Sequence, residues 1–172
     1  MKYLTIIFLF TSLASLAQSR DLNYITKAAA EIDKAPLDVL IVDYDSLEQY
    51  FEHPPDRGAE VIILYDSTGI RKVKFTIGIS NGMTEKVIYY ENGQPMMITE
   101  TNYAFPYDED RGDFDYDNIE EKCHIKLFIK DPNVDKASSG YYGECNITKD
   151  RLHPSDYQWE MDLVKKLFER SR

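Results

Sequence analysis

The stretch from Ala59 to Tyr103 leaves the backbone little choice. Apolar segments of strand length follow one another there with turn residues between them: AEVIILYD (59–66), IRKVKFTIGIS (70–80), TEKVIYY (84–90) and QPMMITETNY (94–103). In the second segment Lys72, Lys74 and Thr76 alternate with Val73, Phe75 and Ile77. A period of two puts one face in water and the other in a core. Ser67-Thr68-Gly69, Asn81-Gly82 and Glu91-Asn92-Gly93 separate the segments, and Asn-Gly is a strong short-range hairpin signal. Three turns at this spacing predict an antiparallel meander.

The flanks extend the pattern. LDVLIVDY (37–44) reads as a strand, SLEQYFEH as a turn of helix and PPDRG (54–58) as a loop. CHIKLFIK (123–130) alternates again, with Cys123, Ile125, Leu127 and Ile129 on one side and His124, Lys126, Phe128 and Lys130 on the other. DPNVDKASSGYYG (131–143) is turn-rich, and ECNIT (144–148) is expected to pair back with 123–130. Before the strands, Leu22, Ile25, Ala29 and Ile32 form the stripe of an amphipathic helix, with Ser19 as N-cap, Asp21 in the first turn and Pro36 as its stop. After them, Tyr157, Met161, Val164 and Phe168 share one helical face, which Leu163 and Leu167 widen. Ser155 and Gln158 have capping-box spacing, and Arg170 and Arg172 suit a helix C-terminus. The expected fold is α+β: an antiparallel β-meander of about five to seven strands, with N-terminal and C-terminal helices packed on one face. YYENGQP (89–95) resembles a unit of the MORN-type repeats, in which aromatic strand residues precede an Asn-Gly turn. It occurs once, whereas repeat architectures bury a core only through several copies.

The chain opens MKYLTIIFLFTSLASLAQSR. Lys2, an apolar run from Tyr3 to Leu13, and small residues at Ser15 and Ala17 predict a cleaved signal peptide over residues 1–17. Residues 18–172 then form a single domain. The apolar segment is shorter than the roughly 20 residues that span a bilayer, so no membrane span is expected after cleavage. The expected location is periplasmic or extracellular. In an oxidising compartment the two cysteines, Cys123 and Cys145, are expected to form a disulfide, since two thiolates are too few for a structural zinc site. With 30 acidic against 20 basic side chains the net charge is −10, and losing the leader removes one more lysine. Such a surface repels phosphate backbones and argues against a nucleic-acid partner.

Six of the twelve residues in YDEDRGDFDYDN (107–118) are carboxylates and three are aromatic. Asp113, Asp115 and Asp117 stand at i, i+2 and i+4, the opening of a calcium loop. The pattern then fails, with Asn118 where the turn wants Gly and His124 where a bidentate Glu belongs. The calcium candidate is therefore weak, and Asp108 or Asp110 could join only a looser site. Arg111-Gly112-Asp113 is an integrin-type tripeptide without further context. The third reading is a recognition surface formed by Tyr107, Asp108, Asp110, Asp113, Phe114, Asp115, Tyr116 and Asp117, with Tyr103, Phe105, Tyr141 and Tyr142 nearby. Tyrosine gives contact area at low entropy cost, and carboxylates beside it suit a basic protein or a glycan. Asn146-Ile147-Thr148 is a glycosylation sequon that matters only in a eukaryotic secretory pathway.

Enzyme signatures are sparse. His53, His124 and His153 are isolated in sequence, and there is no H-E-x-x-H, G-x-S-x-G or glycine-rich phosphate loop. The leading expectation is a non-enzymatic binding module without a cofactor, acting through the acidic, aromatic loop or an open sheet face. A small hydrolase with a carboxylate pair is the alternative, and a calcium-stabilised adhesion module the second.

Overall fold

A computed structural model describes residues 20–143, 145 and 152–172. The leader, Ser19 and the 146–148 sequon lie outside these residues, and the N-terminal helix, which starts at Leu22, is capped by Asp21 and not by Ser19. The expected α+β meander is present. Seven antiparallel strands run in the order β1 (Asp38–Val42), β2 (Ala59–Asp66), β3 (Gly69–Ile79), β4 (Gly82–Glu91), β5 (Gln94–Ala104), β8 (Glu120–Phe128) and β9 (Ser138–Gly143). Between β5 and β8 a small hairpin pairs β6 (Tyr107–Asp108) with β7 (Asp113–Phe114). Helix α1 (Leu22–Ile32) precedes the sheet, the short α2 (Tyr44–Leu47) follows β1, and α3 (Gln158–Arg170) closes the chain.

The helices do not share a face, which corrects the sequence expectation. Val61, Ile63, Val73, Phe75, Ile88, Ile98, Ile125 and Leu127 point to one side, where Leu163, Val164 and Leu167 of α3 and Leu47 of α2 cover them. Val87, Tyr89 and Met97 point to the other side and pack with Ile25, Ala29 and Ile32 of α1. The reason is in β4 and β5. Residues 87–90 (VIYY) and 96–98 (MMI) are consecutive apolar residues, all buried. A strand run without alternation has two faces to hide and needs a layer on each.

Polar contacts fix α1 at both ends. Asp21 is the N-cap and accepts from the Tyr24 amide at 2.7 Å. Arg20 pairs with Glu91 at 3.0 Å, and the Tyr24 hydroxyl donates to the same carboxylate. At the far end Asp33 pairs with Lys72 at 2.6 Å and accepts from the Tyr89 hydroxyl at 3.2 Å. Helix α3 follows a 3-10 turn, Pro154–Tyr157, and the capping box uses His153 and Asp156 rather than Ser155 and Gln158.

Two turns carry different physics. Asn92 and Gly93 both take positive φ, as the two-residue hairpin turn between β4 and β5 demands. In the preceding hairpin Ile79 pairs with Gly82, so Ser80 and Asn81 make the turn. Neither has positive φ. Gly82 is already in the strand, where a Cβ would sit 2.0 Å from the Tyr103 carbonyl oxygen. The glycine there serves close approach, not turn geometry.

β9 falls inside the segment expected to be turns, and it is the partner of β8. The expected 144–148 strand lies outside the described residues apart from Cys145, which stands beyond the end of β9. Cys123 pairs in register with Gly143, and the Cys123–Cys145 disulfide closes with a sequence separation of 22. We predict that replacing both cysteines by alanine lowers unfolding free energy by about 3 kcal/mol, the loop-entropy figure for this separation. Urea denaturation of the two proteins measures the difference.

Candidate functional site

The two sheet faces differ in how completely they are covered. On the α1 side, the cross-strand registers divide the surface into rows. The row beneath α1 is Lys72, Tyr89, Met97 and Phe128. The next is Lys74, Val87, Thr99 and Lys126, then Thr76, Glu85, Thr101 and His124, and last Gly78, Met83, Tyr103 and Glu121. Apolar content falls over the first three rows as α1 is left behind, and Met83 and Tyr103 restore some in the last. Eleven residues of helix rise about 16 Å, too little to shelter the long strands along their whole length. A trough of about 460 Å³ results, with Thr26, Ala30 and Asp33 of α1 as one wall.

Its floor is organised by cross-strand pairs. Thr101 is 6 % exposed, and its hydroxyl lies 2.8 Å from His124 Nδ1. Lys74 pairs with Glu85 at 2.6 Å. Lys126 and Glu121 also line the trough. Both charges and both kinds of hydrogen-bonding group are therefore presented on a rigid surface. Towards the outer edge Val39 and Ile41 of β1 are 54 % and 60 % exposed.

The acidic hairpin stands at the end of this sheet. Phe105 N donates to Asn81 O at 2.9 Å, and Asp115 N to Pro106 O at 2.7 Å. Tyr107 and Phe114 are edge-to-face at 5.5 Å, Phe114 and Tyr116 lie 6.3 Å apart, and Phe105 meets Tyr116 at 5.3 Å. The Arg57 guanidinium carbon lies over Tyr116 at 4.2 Å and Phe105 at 5.0 Å, a cation–π contact with each ring. Tyr107 and Tyr116 remain exposed. The eight residues singled out from sequence are thus brought into one hairpin, though several of its acids serve its own backbone. Asp108 accepts from the amides of Asp110 and Arg111 and pairs with the Arg111 guanidinium at 2.8 Å. Asp113 accepts from the Phe114 amide and the Tyr116 hydroxyl, and Asp115 from the Asp117 amide and the Asn118 side chain. Asp110 and Asp117 point to solvent. Asp113, Asp115 and Asp117 do not converge, and among the described residues no three acidic, histidine or cysteine side chains form a metal-holding group. Arg57 was not singled out from sequence. Its place in PPDRG, ahead of β2, gives no sign of the two rings it meets.

A second polar cluster lies under α3. Glu160, 4 % exposed, pairs with Lys86 at 2.5 Å. The Tyr157 hydroxyl donates to Glu100 at 3.1 Å, Asn102 Nδ2 donates to Glu100 at 3.2 Å, and Thr84 Oγ1 donates to Asn102 at 2.7 Å. Burial, then the Glu100 carboxylate, holds the Tyr157 phenol well above its ordinary range. This network orients α3 on the sheet from within. Compared with models of protein families, with curated proteins and with solved structures, the chain matches none.

Two outcomes follow from these clusters. Lys86→Met should cost about 3 kcal/mol by stranding the buried Glu160 carboxylate, and adding Glu160→Leu should recover most of that loss. Chemical denaturation of the single and double variants measures the coupling. For Asp115, the Asn118 side chain and then the Asp117 amide hold the carboxyl below its ordinary range. A lowered folded pKa means the contribution is present above the unfolded value and is lost as pH falls through the folded one. Asn118→Ala should raise the midpoint of Asp115 titration, read from its carboxyl carbon shift.

Proposed function

We propose that this chain is an exported, non-enzymatic binding domain, and that the trough beside α1 together with the acidic hairpin forms its recognition surface. The carrying observation is the partial cover of one sheet face: α1 shelters its apolar row, and beyond it Thr99, Lys126, Glu85 and His124 stay partly exposed and Glu121 exposed. Export is supported by the leader-like residues 1–17 and by the Cys123–Cys145 disulfide, a bond that persists in oxidising compartments. Among the described residues no helix is long and apolar enough to cross a membrane. Exposed tyrosines beside carboxylates suit a macromolecule that offers cations or hydroxyls, a basic protein or a glycan.

The test is capture from the native cell envelope with residues 18–172 as bait, beside two variants. One changes Asp108, Asp110, Asp113, Asp115 and Asp117 to Asn; the other combines His124→Ala with Lys126→Glu. Specific capture should fall at least about tenfold in one variant, the loss of roughly 1.4 kcal/mol or more. Sensitivity of capture to salt identifies a basic protein, and sensitivity to glycosidase identifies a glycan. Equal capture by all three baits would refute the reading.

A further inference from the structure

The end of the sheet holds a separate cleft. It has a volume of about 420 Å³, within the range of small-molecule sites, and lies between α2, the ends of β2, β3 and β4, and the base of the hairpin. Tyr44, Ala59, Met83 and Phe105 supply apolar wall, and Gly58, Gly78 and Gly82 leave backbone bare. The one cationic side chain of the lining is Arg57.

Arg57 is held in an unusual way for a surface arginine in so acidic a protein. Its backbone continues the β2–β3 ladder, with Arg57 N donating to Gly78 O at 3.4 Å and Gly78 N to Gly58 O at 2.9 Å. A Cβ on Gly78 would lie 2.6 Å from Arg57 Cβ, so the glycine is what lets Arg57 settle there. The guanidinium carbon lies over the Tyr116 ring at 4.2 Å and the Phe105 ring at 5.0 Å, and the group makes no ion pair among the described residues. Its sequence neighbour Asp56 is occupied by the Ser80 hydroxyl. Contact with two rings leaves the guanidinium without a carboxylate partner among the described residues, and its planar fork of donors is the group by which arginine recognises carboxylate. Glu60 also lines the cleft, and its charge disfavours a dianion.

We propose that this cleft binds an apolar monocarboxylate, with Arg57 pairing to the carboxylate and Met83, Phe105 and Tyr44 receiving the apolar part. The ligand chemistry is shared by a free aliphatic acid and by the C-terminus of a peptide ending in an apolar residue. The site stands whether or not the trough beside α1 binds a macromolecule.

The experiment is an amide-resonance titration of residues 18–172 with hexanoate and with the peptide Ala-Ala-Leu, each beside its neutral amide. Saturable shifts at Gly58, Thr76 and Met83 are expected with one acid or both. The amide should bind at least about tenfold more weakly, and Arg57→Gln should weaken the acid by a similar factor. The tighter acid identifies the source. His124→Ala with Lys126→Glu should leave these affinities unchanged, which separates the cleft from the trough. An amide that binds as well as its acid overturns the proposal on the unaltered protein. So does the absence of saturable shifts up to about 10 mM, where even a weak fragment of this size registers. Unchanged binding by Arg57→Gln does the same.

Discussion

The architecture depends on one constraint, the two-sided burial of the central strands. Ile88, Tyr90 and Ile98 need cover on one face, and Val87, Tyr89 and Met97 need it on the other. Chain connectivity provides one layer from each terminus. α3 and α2 together seal the first face, where the largest core cluster sits. α1 is a single helix of 11 residues, and it is placed where the apolar side chains are. Its anchoring to Glu91 at one end and to Lys72 and Tyr89 at the other keeps it from sliding over the polar rows.

The proposed binding role rests on this unequal cover. A sheet face without a lid carries side chains whose positions are set by the ladder and not by a loop, so the groups of the trough are preorganised. The hairpin extends that surface through aromatic contacts and Arg57, and its own carboxylates hold it in shape. Polar groups under α3 play the opposite part. Glu160, Lys86, Tyr157 and Glu100 are withdrawn from solvent and contribute register between helix and sheet.

Much of the fold was legible because the strands are long and regular. The alternation in 70–80, the turns at 67–69 and 91–93, both main helices and the cysteine pair could be read from residue order. The placement of α1 could also have been read, since VIYY and MMI have no wet face, but alternation in the neighbouring segments drew attention to a single core. Asn81-Gly82 marked a true hairpin for a different reason, because the glycine is required by Tyr103 and not by the turn. β9 was hidden because its Ser-Ser-Gly residues read as turn while its partner strand supplies the order. The aromatic residues of the hairpin are near in sequence, and the β6–β7 pairing brings their rings into contact. Arg57 is 48 residues from Phe105, and only tertiary structure brings them together.

Solvent access on the α1 face is the most direct test of this account. A soluble paramagnetic agent added to the labelled protein should broaden side-chain signals of Lys126 and His124 strongly. It should spare Tyr89 and Met97 in the same sheet face, and Ile88 and Ile98 in the other. Strong broadening at Tyr89 and Met97, equal to that at Lys126, would show that α1 does not rest there and would contradict the two-layer cover.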